Sequence, residues 1–299
     1  MSYSITYSIA GSTYTLNGYD ALTGLNIGYG GDQGFGMAPL HRITQRGPMQ
    51  QGDTDDDFRL DPRILQLPLI VSCYTIADYY NAREQLLAVF SPSNVTGVLT
   101  VTLPNGAQRA INVKTLGGLT YDYQASDGYT LRTVVQLRAD DPTWYDPNPV
   151  YVTISPDVAG TTMPIPLLIP LTLGTSTINT TTTVTNSGTW ITYPIITATG
   201  SITNLSIINN TTGLQIVTSG NIPAGRTWTF NLLYGYKTVY DDLGVNQISA
   251  VTTASQLATF ALVSSPTAVG GVNSLSISST AVGAGATVSL TYYSRYIGI

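Results

Sequence analysis

Charge is what this chain has least of: 10% of its residues are charged, against about 25% in an ordinary globular protein. It also holds a single cysteine, Cys73, a single histidine, His41, and a single glutamate, Glu84. Each scarcity excludes something. A lone cysteine cannot close an intramolecular disulfide, and in the run Leu69-Ile70-Val71-Ser72-Cys73 it reads as a small buried side chain. One Cys and one His cannot supply the three or four ligands of a zinc site. His41 is the one imidazole on which a Ser-His-Asp or Cys-His set would have to be built, and no Gly-x-Ser-x-Gly elbow accompanies it. A net charge of -5 argues against adhesion to phosphate backbones, which needs clustered Lys and Arg. The N-terminal Met1-Ser2-Tyr3-Ser4 lacks the basic-then-apolar order of a signal peptide. The longest apolar stretch, Met163 to Leu173, is broken by Pro164, Pro166 and Pro170, so membrane insertion is not expected.

Uncharged polar residues stand where charges are missing. Thr, Ser, Asn, Gly and Tyr are abundant, with 29 Gly and 20 Tyr, and Thr and Tyr suit the pleated, half-buried surface of a strand. The fold class expected is mainly β. At 299 residues two domains are expected. The charges divide unevenly between them: residues 1–147 hold nine of the 12 basic and 14 of the 17 acidic residues, which leaves three of each to the remainder.

Helical periodicity is convincing once, from Ile76 to Phe90, where Ile76, Tyr79, Tyr80, Arg83, Leu86, Leu87 and Phe90 follow 3–4 residue spacing. Thr75 is the expected N-cap, Asp78 suits the first turn, and Ser91-Pro92 closes the far end. A β-hairpin follows, 98–103 and 107–113 around Pro104-Asn105-Gly106, since Asn-Gly readily adopts positive φ. Residues 131–138 alternate as a strand that ends at Asp140-Asp141-Pro142. The cluster Asp146-Pro147-Asn148-Pro149 marks the expected boundary between domains 1–147 and 148–299. Beyond it, short alternating runs recur at 151–154, 202–208, 214–217, 228–232, 259–262, 275–277 and 288–292. Pro223-Ala224-Gly225, Asp241-Asp242-Leu243-Gly244 and Val269-Gly270-Gly271 supply turns between them, a pattern that predicts an antiparallel sandwich or jelly roll. The tract Thr175–Thr185 reads as a strand with a ragged edge.

Few segments suggest chemistry. Asp53-Thr54-Asp55-Asp56-Asp57-Phe58-Arg59-Leu60-Asp61 superficially resembles a calcium loop, but lacks the glycine at the sixth position and the Glu at the twelfth. It reads instead as a solvated acidic loop whose carboxylates pair with Arg59 and Arg63. Glu84 with some Asp could supply paired carboxylates, although nothing in the sequence sets them across a cleft. Gly28, Gly30, Gly31, Gly34 and Gly36 miss the dinucleotide-binding register, and no βαβ unit surrounds them. A tightly turning loop there, beside Met37 to Gln51 with few apolar anchors, would be ordered by a neighbouring subunit. No catalytic, cofactor or metal site is assigned.

Two stretches carry a family resemblance. The first is Arg132-Thr-Val-Val-Gln-Leu-Arg138-Ala-Asp140-Asp141-Pro142-Thr-Trp144-Tyr-Asp146-Pro147. The second is a string of marks: Gly188 with Thr192-Tyr193-Pro194-Ile195, Asn209 with Thr211-Thr212-Gly213, Pro223-Ala224-Gly225, Lys237-Thr238-Val239-Tyr240 with Asp242 and Gly244, Gly271-Val272-Asn273, and 288–292. In order and spacing they resemble the distal tail proteins of siphophages. The resemblance implies an N-terminal ring-forming domain, a β-sandwich or barrel-like body with one helix and a hairpin, that assembles as a hexamer continuing the tail tube. It also implies a galectin-like C-terminal β-sandwich pointing outward. The protein would then sit at the distal end of the tail in the virion, as a baseplate component. Its partners would be the tail tube protein, the tip hub, fibre and receptor-binding proteins and the tape measure protein, with DNA only in transit during genome ejection.

Physics makes that role coherent. Head-to-tail ring closure uses two different surfaces of one domain, and a lumen that passes DNA should not attract phosphates, which the acidic excess of the first half permits. Asp53, Asp55, Asp56 and Asp57 are expected on a loop facing the lumen or a neighbouring subunit. A rival reading makes the C-terminal sandwich a carbohydrate-binding, host-recognition domain through Trp190, Trp228, Tyr234, Tyr236 and Tyr240, although Trp228 alternates with Phe230 and Leu232 as a core residue should. A hydrolase of the tail tip would need a catalytic set that the sequence lacks.

Overall fold

The computed structural model describes residues 3–31, 33–121, 129–155, 177–283 and 285–299. The stretch Met163–Leu173 and the first two residues of Thr175–Thr185 lie outside the described residues. The chain forms two compact units, one of Met1–Pro147 with Tyr296–Ile299, the other of Asn148–Arg295.

In the first unit the strands are β1 (Ser4–Ile9), β2 (Ser12–Thr15), β3 (Gly18–Tyr19), β4 (Asn26–Tyr29), β5 (Leu40–Gln45), β6 (Thr54–Leu60), β7 (Arg63–Ser72), β8 (Gly97–Thr102), β9 (Gln108–Gly118), β10 (Thr130–Ala139) and β11 (Trp144–Tyr145). A curved, nearly closed antiparallel sheet runs in the order β2-β1-β8-β9-β10-β7-β4-β3. Alternation drives it. Along β7, Arg63, Leu65, Leu67, Leu69 and Val71 are buried, and β10 meets them in register, with Leu131 opposite Val71 and Leu137 opposite Leu65. The β8–β9 hairpin closes over Pro104-Asn105-Gly106: Gly106 takes φ +82°, its N–H donates to the Leu103 carbonyl at 2.9 Å, and the Asn105 side chain accepts from the Ala107 N–H.

The one α-helix among the described residues, α1 (Ile76–Val89), starts at Thr75, whose hydroxyl accepts from the Asp78 N–H while the Asp78 carboxylate accepts from the Thr75 N–H. Such a reciprocal cap satisfies two otherwise orphaned donors. Its buried stripe is Tyr79, Ala82, Leu86 and Val89, with Phe90 behind it. Ile76, Tyr80 and Leu87, expected on that stripe, are exposed. At about 100° per residue they fall roughly 90° or more from its centre. Cys73 is half-buried, and burial, with Asp78 nearby, raises its thiol pKa.

The second unit contains β12 (Val150–Ile154), β13 (Asn179–Thr185), β14 (Ile195–Thr199), β15 (Ile202–Thr203), β16 (Ser206–Asn209), β17 (Leu214–Val217), β18 (Asn221–Ile222), β19 (Thr227–Asn231), β20 (Thr238–Asp241), β21 (Val272–Ser278), β22 (Ala281–Val282) and β23 (Thr287–Tyr292). They build sheets β12-β23-β14-β19-β20, β13-β21-β16-β17 and β18-β15-β22. Ile196, Phe230, Trp228 and Leu290 from the first sheet share one core with Val184, Leu275, Ile277 and Ile207 from the second. The threonine tract does form an edge strand, β13. The run expected at 202–208 is broken between β15 and β16 by Asn204 at φ +51°.

Residues 259–262, read as a strand, form an irregular segment instead. Phe260 and Leu262 are buried, backbone pairing is confined to one antiparallel bridge between Leu262 and Thr192, and side chains supply further bonds: Asn209 Nδ2 donates to the Ala261 carbonyl at 3.0 Å, and Asn186 Nδ2 to the Leu262 carbonyl at 3.1 Å. Asn273 joins them, accepting from the Val263 N–H at 2.9 Å and donating to the Val263 carbonyl at 2.8 Å. Gly188 and Gly271 belong to the same knot, because a Cβ on Gly188 would strike the Arg295 carbonyl and one on Gly271 the Asn186 carbonyl. The mainly β class read from the sequence is the class observed.

Candidate assembly site

The most exposed regular element of the first unit is the two-stranded sheet of β5 and β6. Every residue of β5 and all but Leu60 of β6 face solvent. Register runs from Leu40 opposite Leu60 to Gln45 opposite Thr54, with a bulge between Ile43 and Thr44. Asp55, Asp56 and Asp57 therefore lie in a strand, not in the loop the sequence suggested. The local reason is cross-strand pairing: the Arg42 guanidinium meets Asp55 at 2.5 Å and stacks over Phe58 at 5.9 Å, and Gln45 Nε2 donates to Asp56 at 3.0 Å. Arg59 pairs with Asp61 at 3.5 Å. Asp53, Asp56 and Asp57 have no cation within ion-pair distance among the described residues. His41 is exposed on β5, opposite Arg59.

Arg63 pairs with none of these carboxylates, contrary to expectation. Only 1% of its surface is exposed. One guanidinium nitrogen donates to the carbonyls of Gly34, Phe35 and Gly36 at 2.8, 3.2 and 2.7 Å, and another to the Ile297 carbonyl at 2.5 Å. The guanidinium also lies 5.9 Å from the Trp144 ring. Burial without a counter-charge lowers its pKa to about 10. The glycines have structural work to do here. Gly30 donates to the Pro68 carbonyl, and Gly34, at φ +86°, leaves no room for a Cβ beside the Ile64 carbonyl, so the segment is strapped along β7. The sequence does carry a signal of this burial, since Arg63 keeps phase with Leu65, Leu67, Leu69 and Val71. The β5–β6 hairpin was missed, its alternation being hidden by polar residues on both faces.

Around the start of α1 an open cleft of about 470 Å³ is lined by Tyr19, Asn26, Cys73, Tyr74, Asp78 and Gln85 among others. Glu84 is exposed on α1. No group of three or more His, Cys, Asp or Glu among the described residues could hold a metal ion, and no described helix is long and apolar enough to cross a membrane.

In the second unit the aromatic candidates separate. Trp228 is a core residue and Trp190 is half-buried, whereas Tyr234 and Tyr236 are 71% and 64% exposed and Tyr240 is also exposed. Lys237, at φ +48°, sets its ammonium 3.7 Å from the Tyr193 ring, where it has no hydrogen-bond partner. Burial lowers its pKa to about 8. Arg226 bridges Asp241 and Asp242, both at 2.7 Å.

No protein-family model and no curated protein sequence matches the chain. Among solved structures, SPP1 Dit (gp 19.1), a paradigm of the hub adsorption apparatus in phages infecting Gram-positive hosts, aligns over 96% of this chain and 98% of its own, at TM-score 0.65 and 15% identity. Phage P2 baseplate structures in the activated conformation, with Ca or Sr, align over 97% and 98% at 8% identity, with a TM-score of 0.46 that is too low to build on. Along nearly its whole length the chain therefore has the fold of SPP1 Dit.

Proposed function

We propose that this chain is a distal tail protein of a long-tailed phage, a structural subunit of the tail-tip hub and not an enzyme. The observation that carries this reading is the fold it shares with SPP1 Dit along 96% of the chain, since likeness through both units in sequence is more specific than likeness in one β unit alone. In this reading the unit of residues 1–147 with 296–299 closes into a hexameric ring that continues the tail tube of a siphophage and lets DNA pass, and the galectin-like second unit points outward. It would join the tail tube protein to the tip hub, fibre and receptor-binding proteins and touch the tape measure protein, at the distal end of the virion tail. The exposed β5–β6 hairpin supports it, because an isolated hairpin is marginal in water and becomes rigid when a neighbouring subunit covers it. Purified full-length protein imaged by negative stain, with its mass measured in solution, tests the reading. Rings of six are the expected result, and a monomer at every concentration would overturn it.

A second reading rests on Tyr234 and Tyr236, which present aromatic faces to solvent as a sugar-binding platform does. Specific signals on a glycan array that vanish in the Tyr234→Ala, Tyr236→Ala variant would favour host recognition by this unit.

A further inference from the structure

One face of the first unit complements the hairpin arm. Where β7, β10 and β9 pair, the residues pointing away from the core include Ile64 and Ile70 on β7, Arg132 and Arg138 on β10, and Lys114 and Leu116 on β9. Register sets Arg138 beside both Ile64 and Lys114, and Arg132 beside Ile70. The outward positions between them on β7 and β10, Gln66, Pro68, Val134 and Gln136, are uncharged. Lys114 and Arg132 have no ion-pair partner among the described residues, while Arg138 shares Asp140 at 2.9 Å. The face thus carries cations among apolar and uncharged polar side chains, with no carboxylate in its strands.

The arm has the opposite character. Asp53, Asp56 and Asp57 are without a cation, and Ile43 and Phe58 stand exposed beside them. We propose that the β5–β6 arm of one copy docks on the outer β7–β10–β9 face of the next. This inference rests on the ring reading above and names the two surfaces that would close the ring. Arm and face differ, so the contact is heterologous, and each copy uses one of each; such contacts repeat around a ring until it closes. Three carboxylates that lack a cation meet three cations, and apolar side chains on both sides contribute to the contact. Apart from Leu60 the arm's strand residues face solvent within their own chain, which leaves them open to the complementary face of another copy.

Charge reversal in the full-length protein tests this. One variant carries Asp53→Lys, Asp56→Lys and Asp57→Lys; the other carries Lys114→Asp, Arg132→Asp and Arg138→Asp. Mass photometry across a concentration series reads the midpoint of assembly, and circular dichroism with thermal melts confirms that each variant folds. Each variant alone should need at least roughly tenfold more protein to assemble, because like charges then face each other at every contact. An equimolar mixture of the two should assemble near the wild-type midpoint, since arm and face are complementary again when the variants alternate. Wild-type rings with variants that assemble unchanged, or a mixture that fails to recover, would overturn the docking surfaces and leave the ring itself standing. Wild-type protein that never leaves the monomer would overturn both.

Discussion

Arg63 illustrates how one residue can hold distant backbone together. Its guanidinium is buried with carbonyl partners only, so charge-assisted hydrogen bonds offset part of the cost of burying the charge, while its buried Nε has no hydrogen-bond partner among the described residues. Replacing it as Arg63→Met keeps the bulk and removes the donors. The carbonyls it served would be orphaned, and the first unit should lose about 2–3 kcal/mol by urea unfolding. Lys237 gives a different signature. Its folded pKa of about 8 lies below the ordinary 10.5, so between these values the unfolded chain binds more protons and stability rises with pH. Below about pH 8 both states are protonated and the strain of the buried ammonium is fully present. Urea unfolding of the second unit at pH 7.5 and 9.5 should therefore show wild type gaining stability relative to Lys237→Met. A difference between the two proteins that is constant with pH would contradict this assignment. Neither residue stood out in the sequence by its type, because only burial gives each its meaning.

At the scale of elements, local signals were legible wherever short-range chemistry decides. The cap of α1 follows from Thr75 and Asp78 three residues apart, and the β8–β9 turn from Asn105-Gly106. Residues 259–262 alternate as a strand yet form only a single bridge, from Leu262 to Thr192, and the side chains of Asn186, Asn209 and Asn273 bond the backbone of 261–263 from positions far along the chain. Removing one member should be costly. Asn273→Ala strands the Val263 N–H and carbonyl in the core, and a loss of about 2–4 kcal/mol in the second unit's unfolding free energy is expected. Excision of the arm should behave in the opposite way. Joining Leu40 to Leu60 through a short Gly-Ser turn removes no buried side chain, so calorimetry should find the melting temperature within about 2 °C of wild type.

For the whole molecule, the decisive feature is that the chain's last four residues belong to its first unit. Arg109 stacks over Tyr296 at 3.5 Å, Arg63 holds the Ile297 carbonyl, Gly298 packs on Gly36, and the Ile299 N–H donates to the Phe35 carbonyl at 3.1 Å. Deleting Tyr296–Ile299 should lower the unfolding transition of the first unit and leave that of the second in place, which differential scanning calorimetry can resolve. The mainly β class, the helix and its cap, the hairpin turn and most strands were determined by the sequence alone, because alternation, capping and turn preference act within a few residues. Only the tertiary structure decided that Arg63 is a buried clamp, that three asparagines hold the backbone of 261–263, that the acidic run stands out as an arm, and that 296–299 return to the start. Those depend on groups brought together from distant positions, 234 apart for Arg63 and Ile297, and no local spacing records such a meeting.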